Sequence, residues 1–367
     1  MASSTHSRPV AEVFVNGRLL GQRITGVQRY AHETLRCIDQ LLAQPDHCFA
    51  RWTLLVPRGT NVPPFKHIAV RPVGWLRGHL WEQVELPWHA RSGLLWSLGF
   101  TGPVMKVHQV VTVHDAAVVR MPQVYSWYFR AWYRFLMKWV AARAPRVLTV
   151  SRFGADEATK CFGIPPERIG VATEGWQHLE RVVADEGVLD RHALRGKPFA
   201  LAVSSPTPNK NFAAIGEALS LIKPRPPICV VVGAADPLVF QSDSDVDSLL
   251  HVGYVSDGQL KALYQHATGL LFPSFYEGFG IPALEAMSCG CPVIASTAPA
   301  LREVCGDAAL YFDPRRPAEL AVHIQALFSS TVLQAHMRDA SLKRADMFSW
   351  HRSALLNLAE LRKLIEA

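Results

Sequence analysis

The sequence predicts an α/β protein built from two parallel-sheet domains that face a common cleft. Three observations carry that expectation. At 367 residues the chain exceeds what one ordinary core accommodates. Short apolar runs alternate with helix-spaced apolar residues from end to end. Runs such as I-C-V-V-V at Ile228 to Val232 are apolar at every position, as strands covered on both faces must be.

Taken in order, the first half offers strands at Ala11 to Asn16, Trp52 to Pro57, Val110 to His114 and Val147 to Val150. The second half offers Phe199 to Val203, Ile228 to Gly233, Gly269 to Phe272, Pro292 to Ala295 and Ala309 to Phe312. Apolar residues at helical spacing lie between them, for example Phe212, Ile215, Leu219 and Ile222, then Leu320, Ile324, Leu327 and Phe328. The pattern breaks where residues turn charged and weakly periodic. This divides the chain into a first domain over 1–178, a linker over 179–197 and a second domain over 198–347. The amphipathic segment 348–367 is expected to form a helix returning toward the first domain.

Composition narrows the function classes. The net charge of +7 suits anionic partners, yet no RNA-recognition, helix-turn-helix or zinc-finger pattern is present, so nucleic acid is not an expected partner. Seven scattered cysteines lack paired ligand spacing and read as buried thiols, not a zinc site. No apolar run reaches the roughly 18 residues of a spanning helix, and a cytoplasmic location is expected. Over 125–146 aromatic residues alternate with Arg130, Arg134, Lys138 and Arg143. The favoured reading is a helix whose aromatics face the core. The competing one is a helix lying on the inner face of an anionic membrane.

In open parallel sheets, ligands bind at the carboxyl ends of strands, so each strand-ending loop deserves inspection. After Phe272 the chain reads P-S-F-Y-E-G-F-G-I-P-A-L-E, with Glu277 and Glu285 bracketing two glycines and Pro282. Pro282 suits a first helical turn and Gly290 its end. Gly278, Phe279, Gly280 and Ile281 would then present free N–H groups to a phosphate at the helix N-terminus. Glu285, one turn in, could accept hydrogen bonds from a ribose diol, and Glu277 could hold a second polyol. Diol, diphosphate and sugar together describe a nucleotide-sugar. Each acid alone is equally a dipole-favoured helix residue or a solvated loop acid.

Lys210 precedes the Phe212 helix, where a cation opposes the helix dipole unless an anion is bound. After the first strand, Thr25 and Gln28 fit a capping box that leaves Gly26 at a helix N-terminus, although a turn and a cap explain these residues as well. His114 and Asp115 close the strand V-V-T-V-H.

As a set these pieces resemble glycosyltransferase family 4, a family of GT-B fold, through the E-x7-E stretch from Glu277, with G-V-Q-R-Y, V-H-D, N-K-N and H-V-G-Y-V-S-D-G in order before it. The resemblance implies two Rossmann-like domains, the first on the acceptor side and the second binding the donor. It places Glu277 on the donor sugar, Glu285 on the ribose, Lys210 on the diphosphate, and Tyr254 and Val255 beside the base. His114 would orient acceptor or donor sugar. The family pattern has an arginine five residues before the lysine. This chain has Ser205 there, so the second cation would have to come from elsewhere, with Arg23 and Arg29 as candidates.

The implied activity is a retaining, metal-independent transfer of a hexose to an acceptor hydroxyl, with no cofactor. A lipid-linked saccharide or other polyol is the implied acceptor, in O-antigen or exopolysaccharide synthesis, with GDP-mannose one candidate donor. The alternative is a non-catalytic nucleotide-sugar-binding or scaffold subunit. Two decoys fall away. G-F-G-I-P-A mimics a dinucleotide fingerprint, but P-S-F-Y-E separates it from its strand and no acid closes the next strand. The D-x-D within Gln241 to Ser248 reads as a solvated loop rather than a metal site.

Overall fold

A computed structural model describes residues 11–203, 207–233 and 248–366. Strands β1 (Glu12–Asn16), β2 (Arg51–Pro57), β3 (Ala69–Val73), β4 (Leu94–Ser97), β5 (Gln109–Val113), β6 (Arg146–Thr149) and β7 (Ile169–Val171) form one parallel sheet in the order 3-2-1-4-5-6-7. Strands β8 (Phe199–Val203), β9 (Ile228–Val232), β10 (Leu249–Gly253), β11 (Gly269–Phe272), β12 (Val293–Ser296) and β13 (Ala309–Phe312) form a second parallel sheet in the order 10-9-8-11-12-13. Both orders reverse direction once, between β1 and β4 and between β8 and β11. A crevice opens at such a reversal because the crossovers leave toward opposite faces.

Every expected strand is present, its ends displaced by no more than one residue. Four others were not anticipated. Three are sheet edges: β3 carries Pro72 and is exposed over most of its length, β7 has three residues, and β10 includes a histidine. Edge strands lack the apolar signature of central ones. β4, L-L-W-S, is central and fully buried, but four residues are too few to show a period.

The charged stretch before β8 is more than a tether. It contains the helix Gly187–Arg191, and Val188, Leu189 and Leu194 are buried against the second lobe's helix Asp257–His266. The last helix, Trp350–Glu366, crosses back as expected and packs on the first lobe's helix Gly26–Leu41 and on β7. Ala354, Leu358 and Leu361 are buried there, each leucine contributing about 1.5–3 kcal/mol. Tyr30 Oη donates to Asn357 Oδ1 (3.3 Å), and Arg146 pairs with Glu360 (2.5 Å). The crossing is thereby fixed by packing and polar contacts together.

The reading of the aromatic helix needs correction. In the helix Trp127–Arg143 only Tyr133 among the aromatics is buried, while Trp127, Tyr128, Phe129, Trp132 and Phe135 are exposed. The core-facing stripe is Tyr133, Leu136, Met137 and Val140, which is narrow enough to leave the other rings in solvent.

Candidate active site

Lys210 and Glu277 come from the loops after β8 and β11, the two strands at the second sheet's reversal. Asn211 joins these loops. Its backbone is left-handed (φ 53°), and its Nδ2 donates to the carbonyls of Pro273 (3.1 Å) and Pro314 (2.8 Å). Phe275 N–H donates to Asn209 O at 2.8 Å. Held this way, the Lys210 ammonium donates to both Glu277 oxygens, at 2.7 and 2.8 Å, with Glu277 nearly buried. One ammonium N–H remains for another acceptor.

Directly beyond lies the helix Ile281–Ser288. Gly280 precedes it at φ 110°, where a Cβ would also meet Leu301 at 2.6 Å, and Pro282 stands in its first turn. Gly278 meets the first lobe: a Cβ there would lie 2.2 Å from His114 O, and its carbonyl accepts from Ser151 Oγ at 2.7 Å. Gly26 opens its own helix, and a Cβ on it would be 3.6 Å from Ile281 Cδ1. Two helix starts, one from each lobe, therefore come together just beyond the loop that carries Glu277. Their unpaired N–H groups and dipoles favour an anion between them. Thr25 N–H donates to Gln28 Oε1 (3.3 Å) in the expected capping box.

Glu285 is buried one turn into its helix. His178 Nε2 donates to its Oε1 (2.8 Å) and Tyr264 Oη to its Oε2 (3.0 Å). Trp350 Nε1 donates to His178 Nδ1 at 3.2 Å, which obliges the imidazole to carry its proton on Nε2. Each carboxylate oxygen retains a lone pair for a further donor. Burial drives the Tyr264 hydroxyl well above its ordinary range, so it stays a donor.

On the first lobe, His114 Nε2 donates to Leu98 O (2.9 Å), turning Nδ1 toward Glu174 Oε1 at 3.7 Å. Burial raises the pKa of Glu174, and Glu285 and Glu277 add to the rise. Burial also raises Asp115, whose Oδ1 accepts from Ala117 N–H at 2.8 Å. A cavity of about 290 Å³ opens beside Asp115, Thr25 and Gln28, walled by Phe100, Phe129 and Trp132. Arg23 stacks on the exposed ring of Tyr254, 3.3 Å from its centroid, beside the half-buried Val255, and Arg29 pairs with Asp257 (2.6 Å). Ser205 and the D-x-D of the Gln241 to Ser248 stretch lie outside the described residues.

Two sequence profiles meet on this chain: Glycosyltransferase Family 4 over residues 24–175, and Glycosyl transferases group 1 over residues 190–344. The chain is a family 4 glycosyltransferase. Among curated relatives, it is 31% identical to O-antigen chain mannosyltransferase B of Escherichia coli over 257 residues, 66% of each chain. It is 28% identical to O-antigen chain mannosyltransferase RfbU of Salmonella typhimurium over 320 residues, covering 82% of this chain and 87% of that one. Sucrose-phosphate synthase from Thermosynechococcus elongatus superposes with a TM-score of 0.74 at 18% identity, over 97% of this chain and 99% of that one. The fold of this glycosyltransferase is therefore GT-B.

The geometry of the glycosyltransferase brings Lys210, Glu277, Gly278, Gly280, Ile281 and Gly26 into one region, with Glu285 behind them. Sequence reading passed over Glu174, His178, Tyr264 and Ser151. Of these only Ser151 carried a usable signal: it caps the helix Arg152–Phe162 by accepting from Gly154 N–H at 2.8 Å, as a serine before a helix should. His178 is the last residue assigned to the first domain, just before the linker, where nothing local announces a partner 107 positions away.

Proposed function

We propose that this glycosyltransferase moves a hexose, with mannose the first candidate, from a nucleotide-diphosphate sugar to an acceptor hydroxyl. We further infer retention of anomeric configuration, no required metal, and a place in bacterial O-antigen or exopolysaccharide assembly. One observation carries the reading: Lys210 pairs with Glu277 on the loop that leads into the helix starting at Ile281, and the first lobe's helix start at Gly26 lies against Ile281, a setting in which a diphosphate would be neutralised by an ammonium and two helix ends. The O-antigen mannosyltransferase names of two relatives support the choice of sugar and product.

In this reading Lys210 and the amides of Gly278, Phe279, Gly280 and Ile281 stabilise charge growing on the departing diphosphate. Glu277 holds the sugar hydroxyls, and Glu285 takes the ribose with the lone pairs that His178 and Tyr264 leave free. Tyr254 and Val255 border the base. As the bond from the anomeric carbon to the phosphate oxygen breaks, the acceptor oxygen bonds to the same carbon on the same face. The leaving phosphate oxygen takes the acceptor proton. His114, held by Leu98 and Glu174, positions its neighbourhood rather than acting as the base.

The test is a comparison of thermal stabilisation by GDP-, UDP- and dTDP-sugars, followed by donor hydrolysis without acceptor. A native-state ligand at about 100 times its dissociation constant adds about 2.7 kcal/mol. Stabilisation by one nucleotide family together with slow hydrolysis supports the transferase. Stabilisation with no turnover points to a non-catalytic binding subunit, and no stabilisation by any nucleotide-sugar refutes the site.

A further inference from the structure

We propose that the first lobe docks peripherally on an anionic lipid bilayer, through a face formed by the helix Trp127–Arg143 and the segment 74–91. Single exposed apolar residues are ordinary, but contiguous patches are not. On this face Trp75, Leu80, Val84, Trp88, Trp127 and Tyr128 are each 60% exposed or more. The two elements form one surface, because the His79 ring packs edge-on against Trp132, centroids 6.2 Å apart.

Cations outnumber acids on this surface. Arg130, Arg134 and Lys138 repeat every fourth residue along the helix, and no Asp or Glu occurs between Asp115 and Asp156. Two of the exposed tryptophans are matched with arginines: Arg58 lies 3.9 Å from the Trp75 ring centre and Arg91 4.6 Å from that of Trp88. The segment 74–91 has two acids, and both are occupied. Glu82 is buried, accepting from Asn16 Nδ2 (2.9 Å), Arg18 Nε (3.1 Å) and Thr101 Oγ1 (2.8 Å). Glu85 accepts the N–H groups of Trp75 and Leu76 at 2.9–3.0 Å.

Aromatic rings and aliphatic side chains projecting among unopposed cations fit the headgroup boundary of an anionic bilayer. A second copy fits poorly, since the same face would meet its own positive charge. Nucleic acid would leave Leu80 and Val84 without an apolar partner. No helix among the described residues is long and apolar enough to cross a membrane, so the contact is a docking and not a span. The face also rims the 290 Å³ cavity, because His79, Phe129 and Trp132 belong to both. On the transferase reading, a lipid-linked acceptor held in the bilayer would present its sugar at that mouth.

The experiment is co-sedimentation of the full chain with two vesicle preparations, phosphatidylcholine alone and phosphatidylcholine mixed with phosphatidylglycerol. Binding is expected only to the mixed vesicles and should fall as salt rises. The combined Arg130→Glu, Arg134→Glu and Lys138→Glu variant should bind them at least about tenfold more weakly. Its melting temperature, unchanged, shows that it folds. Should it not fold, Trp75→Ser with Trp88→Ser carries the test, with the same direction of loss. Equal binding to both vesicle types, no binding, or undiminished binding by the folded variants overturns the proposal. So does a dimer in light scattering that dissociates when Trp75 and Trp88 are replaced, since a second copy would then own the face. Vesicle binding is read without sugar transfer, so its failure is distinguishable from failure of the transferase reading.

Discussion

Lys210→Ala and Glu277→Ala, made singly and together, separate chemistry from scaffolding at the site. The pair joins two loops through bonds of 2.7 and 2.8 Å, with the lysine side chain 19% and the glutamate 9% exposed. A hydrogen bond to a charged group nets about 1.5–3 kcal/mol, and removing one partner strands the other. Partial water access tempers this, so each single variant should lose about 2–3 kcal/mol. The double variant strands nothing, and the cycle should return a coupling of about 2–3 kcal/mol. At about 2–4 °C per kcal/mol for domains of this size, calorimetry should find both single variants down by about 5–10 °C and the double variant no worse. Turnover should behave differently. Loss of a group that stabilises charge on the leaving phosphate costs about 100- to 1000-fold, and the double variant should be as slow as either single one. Two results would refute the reasoning. Additive thermal losses would mean that the pair is not coupled. Recovery of turnover in the double variant along with its stability would mean that both residues only hold the loops.

Three further outcomes follow from the same geometry. Gly278→Ala puts a methyl group 2.2 Å from the His114 carbonyl, a backbone atom that cannot swing aside; it should separate the lobes, seen as a larger radius of gyration by X-ray scattering and at least about tenfold lower turnover. Asn211→Gly and Asn211→Ala both delete the bonds to Pro273 and Pro314, but only alanine also strains the left-handed backbone; alanine should melt lower than glycine by about 1 kcal/mol, and equal melting points would count against the strain. Glu174 has a pKa raised by burial, so between the unfolded value of about 4.3 and its native value the folded state holds the extra proton, and stability falls as pH rises. Glu174→Gln removes that loss: it should melt higher than the parent at pH 7 and equally below about pH 4, and a pH-independent difference would show that charge is not the cause.

Legibility in the sequence tracked how local each physical cause was. Buried parallel strands announce themselves because both faces must be apolar, and the central β8 and β11 were read to the residue, as was the edge strand β13, whose A-L-Y-F is apolar throughout. Edge strands β3, β7 and β10 escaped because one side faces water or the chain end, and their residues satisfy no period. The helix start at Ile281 was legible from Gly280 and Pro282. The aromatic helix misled because its composition is legible while its azimuth is not: Tyr133 faces the core and its neighbours do not, a choice made by Val111, Val113 and Val147 beneath it.

The acids show the same division more sharply. That Glu277 and Glu285 flank a glycine turn is written in nine consecutive residues. What makes each acid usable is not. Glu277 needs Lys210, 67 positions earlier, brought near by Asn211. Glu285 needs His178, whose proton is set on Nε2 only because the last helix crosses back and lays Trp350 Nε1 against Nδ1. The crossover helix therefore has a chemical consequence beyond fastening the lobes. Trp350→Phe would keep the packing yet free Nδ1 to take the proton, and with it the donor that Glu285 requires. A rise in donor KM with little change in melting temperature is the outcome that this chain of contacts demands, and an unaltered KM would break it at the His178 link.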